Sequence, residues 1–182
     1  PKGVRVNHAT LAASTAARIQ VYGAVGRFLM VSPLTFDSSV AGIWGTLAAG
    51  GTVVLPEPGT KADPHRLLGL IRHAGVTHLL CIPSLYRTLL SASTHDRAAG
   101  PGTETGAGSL RCVIVAGEPA PPVLAAEHAT SAWSQAALVN EYGPTEATVW
   151  SSYARLRPAA PVTIGYPIPG TWVLVDASGG DA

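Results

Sequence analysis

The stretch RFLMVSPLTFDSSVAGIWGTLAAGGTVVLP, residues 27–56, decides the fold. Its opening apolar run stops at Pro33 and reads as a short buried strand. Asp37 or Ser38 can cap the helix that follows, and that helix closes on a glycine pair. The β-branched TVVLP then reads as a second strand, stopped at Pro56. Strand, helix and strand joined by short connections define a unit of a parallel sheet.

The rhythm extends in both directions. HATLAASTAARIQVYG (8–23) has a helical period in front of the first strand. Behind the second, DPHRLLGLIRHAG (63–75) offers Asp63 as N-cap, Pro64 at the first helical position and Gly75 as C-cap. VTHLLCIP (76–83) reads as a strand and SLYRTLLSA (84–92) as a helix. THDRAAGPGTETGAG (94–108) is polar and Gly-rich, a surface loop. LRCVIVAG (110–117), PPVLAAEHATSAW (121–133) and AALVNEYG (136–143) continue as strand, helix and strand. Near-continuous apolar strands alternating with helices predict an α/β fold, a mostly parallel sheet with helices on both faces. From residue 147 the helices stop. ATVWSSYARL, VTIGYPIPG and TWVLVD read as strands between Pro/Gly turns. The expected organisation is therefore an α/β core over 1–146 and the start of an incomplete β-rich subdomain over 147–182.

Composition narrows the function classes. Charged residues are 13% of 182 and the net charge is +1, which leaves no electrostatic footprint for nucleic acid or an anionic membrane. No apolar run reaches bilayer length, and no basic segment leads into an apolar signal core. Cys81 and Cys112 sit in apolar strand runs and read as buried thiols of a reducing compartment, hence a cytoplasmic protein. The opening PKGV and the closing VLVDASGGDA both read as cuts through a longer polypeptide.

Ligands of open parallel sheets bind beyond the carboxyl ends of the strands. Three such ends carry chemistry. One holds Asp37, another Gly117 and Glu118, and the third is NEYGPTEATVW, residues 140–150. There Gly143-Pro144 forces a tight turn. Thr145 offers a hydroxyl and an N–H to an anion, Glu146 is a hard oxygen ligand suited to magnesium, and Tyr142 offers a flat face to a base. The same types also suit a plain turn, with Tyr142 in the core, Thr145 capping and Glu146 solvated.

NEYGPTEATVW resembles the Asn-x-Tyr-Gly-Pro-Thr-Glu motif of amino-acid adenylation domains of nonribosomal peptide synthetases, in the superfamily of acyl-CoA synthetases and luciferases. PKGVRVNH (1–8) resembles the tail of that family's phosphate loop. LTFDSSVAGIWGTLAAGGTVVLP (34–56) resembles its Phe-Asp-x-Ser segment, VIVAGEPAPP (113–122) its Gly-Glu segment, and IGYPIPGTWVLVD (164–176) the run leading to its hinge. The five segments are collinear and span essentially the whole chain.

The resemblance implies an ATP-dependent ligase that forms an aminoacyl adenylate with Mg2+ and passes the acyl group to a phosphopantetheine thiol. The implied partners are carrier and condensation domains of one assembly line and a small helper protein. It places Tyr142 on adenine, with Gly117, Glu118 and Pro119 on the other face and Gly143 in the same turn. Asn140 would bond the adenine amine, Thr145 hold the α-phosphate and Glu146 bind magnesium. Lys2 and His8 would flank the phosphate loop, His8 counted with Thr145 and Glu146 as catalytic. Asp37 marks an α-amino acid, because a carboxylate facing an apolar crevice needs a cation such as an α-ammonium group. The helix N-cap is its other reading.

The pocket positions carry over as Asp37, Ser38, Ala41, Cys81, Ile114, Ala116, Glu141, Val149 and Trp150. They describe a largely apolar pocket in which Trp150 fills one wall, for an apolar or aromatic side chain. Glu141 is the one polar wall group and either accepts a bond from a phenol or amine or points to solvent. The chain departs from the pattern at Ala41-Gly42, where members often carry Trp-Glu. The body of the phosphate loop, the ribose-gripping aspartate and the catalytic lysine would lie outside the 182 residues, so the piece alone should be inactive. Two rivals stand beside this reading: an acyl-CoA or aryl-acid ligase fragment, and a non-catalytic excised subdomain.

Overall fold

The computed structural model describes residues 3–98 and 107–175. Seven strands form one sheet: β1 (Arg27–Leu29), β2 (Thr52–Val54), β3 (His78–Cys81), β4 (Cys112–Val115), β5 (Ala137–Tyr142), β6 (Ser152–Arg155) and β7 (Tyr166–Pro167). Their spatial order is β2-β1-β3-β4-β5-β6-β7. The first five are parallel, and β6 and β7 add antiparallel. The chain runs outward from β1 to β2, then returns to the other side of β1. That reversal between β1 and β3 is a topological switch point, where a crevice opens beyond the strand ends.

The period-2 alternation of the strands sorts the core into two layers. Leu29, Val31, Leu79, Val113, Val115 and Leu138 face one side, against α3 (Pro64–His73), α4 (Pro83–Ala98) and α5 (Leu124–Ala129). Phe28, Met30, Leu80, Cys112, Ile114 and Val139 face the other, against α1 (His8–Tyr22) and α2 (Ser38–Ala48). The expected doubly covered, mostly parallel sheet is thus observed.

Capping residues act as physical chemistry predicts at two helices. Asn7 accepts from the Thr10 N–H, and Asp63 accepts from the His65 and Arg66 N–H groups with Pro64 behind it. Gly75, with φ 59°, follows the Ala74 C-cap rather than forming it. Other expectations need correction. Asp37 sits at the α2 N-cap position but makes no capping bond, and Ser38 donates to Ser32 Oγ instead. The helix expected to run to 133 ends at Ala129, and the chain turns there with the Ser131 N–H on the His128 carbonyl and the Trp133 N–H on Ser131 Oγ. Helix α4 continues to Ala98, into the expected 94–108 loop, whose residues 99–106 lie outside the described part. Residues 171–175, read as a strand, form none and have no ladder partner among the described residues. Within those residues the β-rich run after 147 continues the preceding sheet, since β6 pairs on β5.

Gly42 answers the Ala41-Gly42 departure. A Cβ there would run into the Phe28 ring, so glycine lets α2 settle onto β1.

Candidate functional site

The carboxyl ends of β1, β3, β4 and β5 enclose one cavity of about 660 Å³. The three strand ends singled out in the sequence do converge there. Asp37 and Ser38 line it from the β1 end and Cys81 from β3. Ala116, Gly117, Glu118 and Pro119 line it from β4, and Asn140, Glu141, Tyr142, Gly143 and Val149 from β5 and the turn beyond. The sequence reading missed Ser32, Phe36, Leu80, Ile82, Val162, Thr163 and Ile164. Ile82 lies just beyond the carboxyl end of β3, so the strand-end rule applied to that strand points to it, and Phe36 directly precedes Asp37. No residue type flags Val162, Thr163 or Ile164, which return to the cavity from the approach to β7.

Not every expected residue reaches the cavity wall. Ala41 of α2 and Ile114 of β4 are buried in the core layer between that helix and the sheet. Trp150 is 1% exposed and packs with Ala17 and Ile168, so it stands away from the cavity that it was expected to shorten. Its indole N–H donates to Ser14 Oγ (3.1 Å). His8 is exposed at the start of α1, and Lys2 lies outside the described residues. Thr145 and Glu146 are exposed in a single 3-10 turn just beyond Gly143-Pro144.

The polar groups have definite partners. Thr145 Oγ1 donates to Asp37 Oδ2 at 2.6 Å, which joins the β1 and β5 ends across the site. Asn140, nearly buried, donates from Nδ2 to the Thr163 carbonyl (2.9 Å), which leaves its Oδ1 as the acceptor. Glu118 accepts from the N–H and hydroxyl of Ser84 in the first turn of α4, so it fixes the loop while the backbone of Gly117 (φ 84°) borders the cavity. Tyr142 is 54% exposed, with its ring open to a flat partner. Burial pushes the Cys81 thiol well up and that of Cys112 up to about 12, so both are neutral, non-nucleophilic sulfurs.

Glu141 neither points to solvent nor stands free. Its Oε1 accepts from Arg18 Nη1 (2.8 Å) and Tyr22 Oη (2.6 Å), and its Oε2 from Arg18 Nη2 (2.7 Å). Burial, with the Glu141 charge beside it, drives the Tyr22 phenol far above its ordinary range and keeps it a donor. The turn after Glu146 is strained. Thr148 (φ 57°) and Val149 (φ 84°) are β-branched residues at positive φ, where such side chains are outliers.

Magnesium is usually held by one or two carboxylates plus substrate phosphates rather than by an all-protein cage. Glu146 fits that pattern as an exposed carboxylate one residue from the Thr145 hydroxyl. Among the described residues no group of three His, Cys, Asp or Glu side chains could cage an ion.

A mostly parallel sheet with a cavity at its carboxyl strand ends places the chain in the α/β class that binds ligands at a topological switch point. The chain belongs to the AMP-binding enzyme family, whose model matches residues 1–182. Its relatives include nonribosomal peptide synthetases. AMB antimetabolite synthetase AmbE of Pseudomonas aeruginosa is 37% identical over 91% of this chain and 8% of that protein. Bacitracin synthase 3 of Bacillus licheniformis is 36% identical over 96% of this chain and 3% of that protein. The solved nonribosomal peptide synthetase FmoA3, in its alpha-methyl-L-serine-AMP bound form, superposes with a TM-score of 0.84 at 29% identity, over 98% of this chain and 20% of that one. The chain thus spans a small part of the proteins it matches.

Proposed function

We propose that this chain is part of an amino-acid-activating adenylation domain of a nonribosomal peptide synthetase. The observation that carries the reading is the Asp37 carboxylate at the edge of a largely apolar cavity, 2.6 Å from the Thr145 hydroxyl. Asp37 receives the α-ammonium group of the substrate, and the side chain enters the cavity. That side chain is apolar or aromatic, in keeping with the lining.

Tyr142 stacks on adenine, the Gly117–Pro119 backbone closes the opposite side, and Asn140 Oδ1 accepts from the adenine amine. Thr145 holds the α-phosphate where the substrate carboxylate arrives. A carboxylate oxygen attacks the α-phosphorus, the bond to pyrophosphate breaks, and aminoacyl-AMP remains. A phosphopantetheine thiol on a carrier domain then attacks the acyl carbon and AMP leaves. Bound magnesium, held by Glu146, would neutralise phosphate charge. The residues of this chain act by positioning and electrostatics, the usual means of phosphate chemistry. Carrier and condensation domains are the partners in this reading, with a small helper protein alongside, and the cytoplasm is the compartment. No helix of the described residues is long and apolar enough to cross a membrane.

The test is amino-acid-dependent ATP–pyrophosphate exchange on the intact domain across a full panel, with and without Asp37→Ala. Exchange with amino acids that the substitution abolishes is expected. Exchange supported only by amine-free acids overturns the reading.

A further inference from the structure

We infer that Arg18 and Tyr22 are positioning residues for substrate selectivity: they cancel the charge of Glu141 at the cavity wall, so the pocket takes an amino acid with an uncharged side chain. This rests on the adenylation reading above and deepens it.

Glu141 lines the cavity from β5, while Arg18 and Tyr22 come from α1, 123 and 119 residues away in sequence. The guanidinium meets the carboxylate with two parallel bonds, the most directional pairing available to a carboxylate. Its other surroundings fix it in place. Arg18 lies over the Trp150 ring at 4.4 Å, Tyr22 stacks on the same ring, and Arg18 Cδ lies 3.7 Å from where a Cβ on Gly45 would be. Arg18 is 5% exposed and Glu141 4%. An unpaired carboxylate so far from water would demand a cation from the ligand. This one already has its cation.

The rest of the wall supports the assignment. Among the described residues no lysine, arginine or histidine lines the cavity. Glu118 is engaged by Ser84 and Asp37 by Thr145, and in the proposed reading Asp37 answers the α-ammonium group rather than the side chain. A buried ion pair is a poor source of net stability, since apolar residues of similar volume often serve as well. Selectivity gives the pair a use that stability does not.

The experiment is the exchange panel on the intact domain for wild type, Arg18→Met, Glu141→Gln and Arg18→Lys. Arg18→Met should raise the ratio of exchange with lysine or ornithine to exchange with uncharged amino acids by on the order of tenfold or more. Glu141→Gln, which leaves Arg18 uncancelled, should move the ratio toward aspartate and glutamate. Arg18→Lys, which keeps the cation, should hold the wild-type ranking. An unchanged ranking in Arg18→Met and Glu141→Gln overturns the inference. So does failure of both to fold beside a folded Arg18→Lys, because the pair would then serve the core alone. Absence of amino-acid-dependent exchange in the wild type would instead strike the adenylation reading.

Discussion

Thr145 Oγ1 and Asp37 Oδ2 lie 2.6 Å apart, so the residue proposed for the α-phosphate holds the residue proposed for the α-ammonium group. The bond joins turns 108 residues apart in sequence and ties the two halves of the site into one unit. Thr145→Val keeps the shape and removes the hydroxyl. A hydrogen bond to a charged group contributes about 1.5–3 kcal/mol, so exchange kcat/KM should fall roughly ten- to a hundredfold. Thr145→Ser should restore most of it. Equal activity of the Val and Ser variants would remove the hydroxyl from the mechanism.

Gly42 should resist replacement even though it lies inside a helix. Alanine gains about 0.5–1 kcal/mol of helix propensity there, but its Cβ meets the Phe28 ring, and overpacking typically costs about 1–3 kcal/mol. Gly42→Ala is therefore expected to lower the urea midpoint of the intact domain. Adding Phe28→Leu should recover part of the loss. A stabilised Gly42→Ala variant would mean that α2 can lift from β1 without cost.

The sheet and the outline of the site were legible in the sequence because both rest on local signals. CVIV in β4 is apolar throughout, as a strand covered on both faces must be, and Gly143-Pro144 marks the turn beyond β5 without help from distant residues. What stayed hidden depends on long-range packing. Arg18 sits in AARIQ, one arginine among alanines, and nothing nearby announces a carboxylate 123 residues on. Trp150 matched a pocket position, yet it follows the positive-φ pair Thr148-Val149 and packs against Ala17 of α1, a contact that sequence does not announce. Gly42 read only as a departure from the pattern because Phe28, the ring it makes room for, lies on a different element. The run at 171–175 has strand composition but no ladder partner among the described residues, and composition alone cannot supply one.

Ser14 is the bracket of that strained turn. Its hydroxyl donates to the Thr148 carbonyl (2.9 Å) and accepts from the Trp150 indole N–H (3.1 Å), all in a buried setting. Ser14→Ala leaves two buried polar groups unpaired beside two β-branched residues at positive φ. A loss of about 1–3 kcal/mol is expected, larger than the ~0.5 kcal/mol typical of surface changes. Because Val149 lines the cavity, the exchange ranking should also broaden. A loss below ~0.5 kcal/mol with an unchanged ranking would show that the turn holds itself.

His128 should make the fold acid-sensitive. It is 6% exposed, and burial lowers its pKa from the ordinary value of 6.5. Its ring spans two fixed partners, Tyr86 Oη at Nδ1 (2.6 Å) and the Ala136 carbonyl at Nε2 (2.9 Å). The carbonyl can only accept, so Nε2 carries the proton and Nδ1 accepts from the phenol. A second proton on Nδ1 would make that nitrogen a donor and leave the buried phenol proton without its acceptor. His78, 4% exposed, is lowered in the same sense by burial and then by the charge of Arg111. For a histidine whose folded pKa lies below its unfolded one, the unfolded chain binds the proton first on acidification. The stabilisation is therefore complete above pH 6.5 and is lost as pH falls from there toward the folded pKa. Urea midpoints of the intact domain should be level from about pH 7 to 8 and drop as the pH falls below about 6.5. His128→Gln should flatten part of that drop, leaving the His78 share. A midpoint that rises on acidification through this window would show that the two rings are protonated in the folded protein.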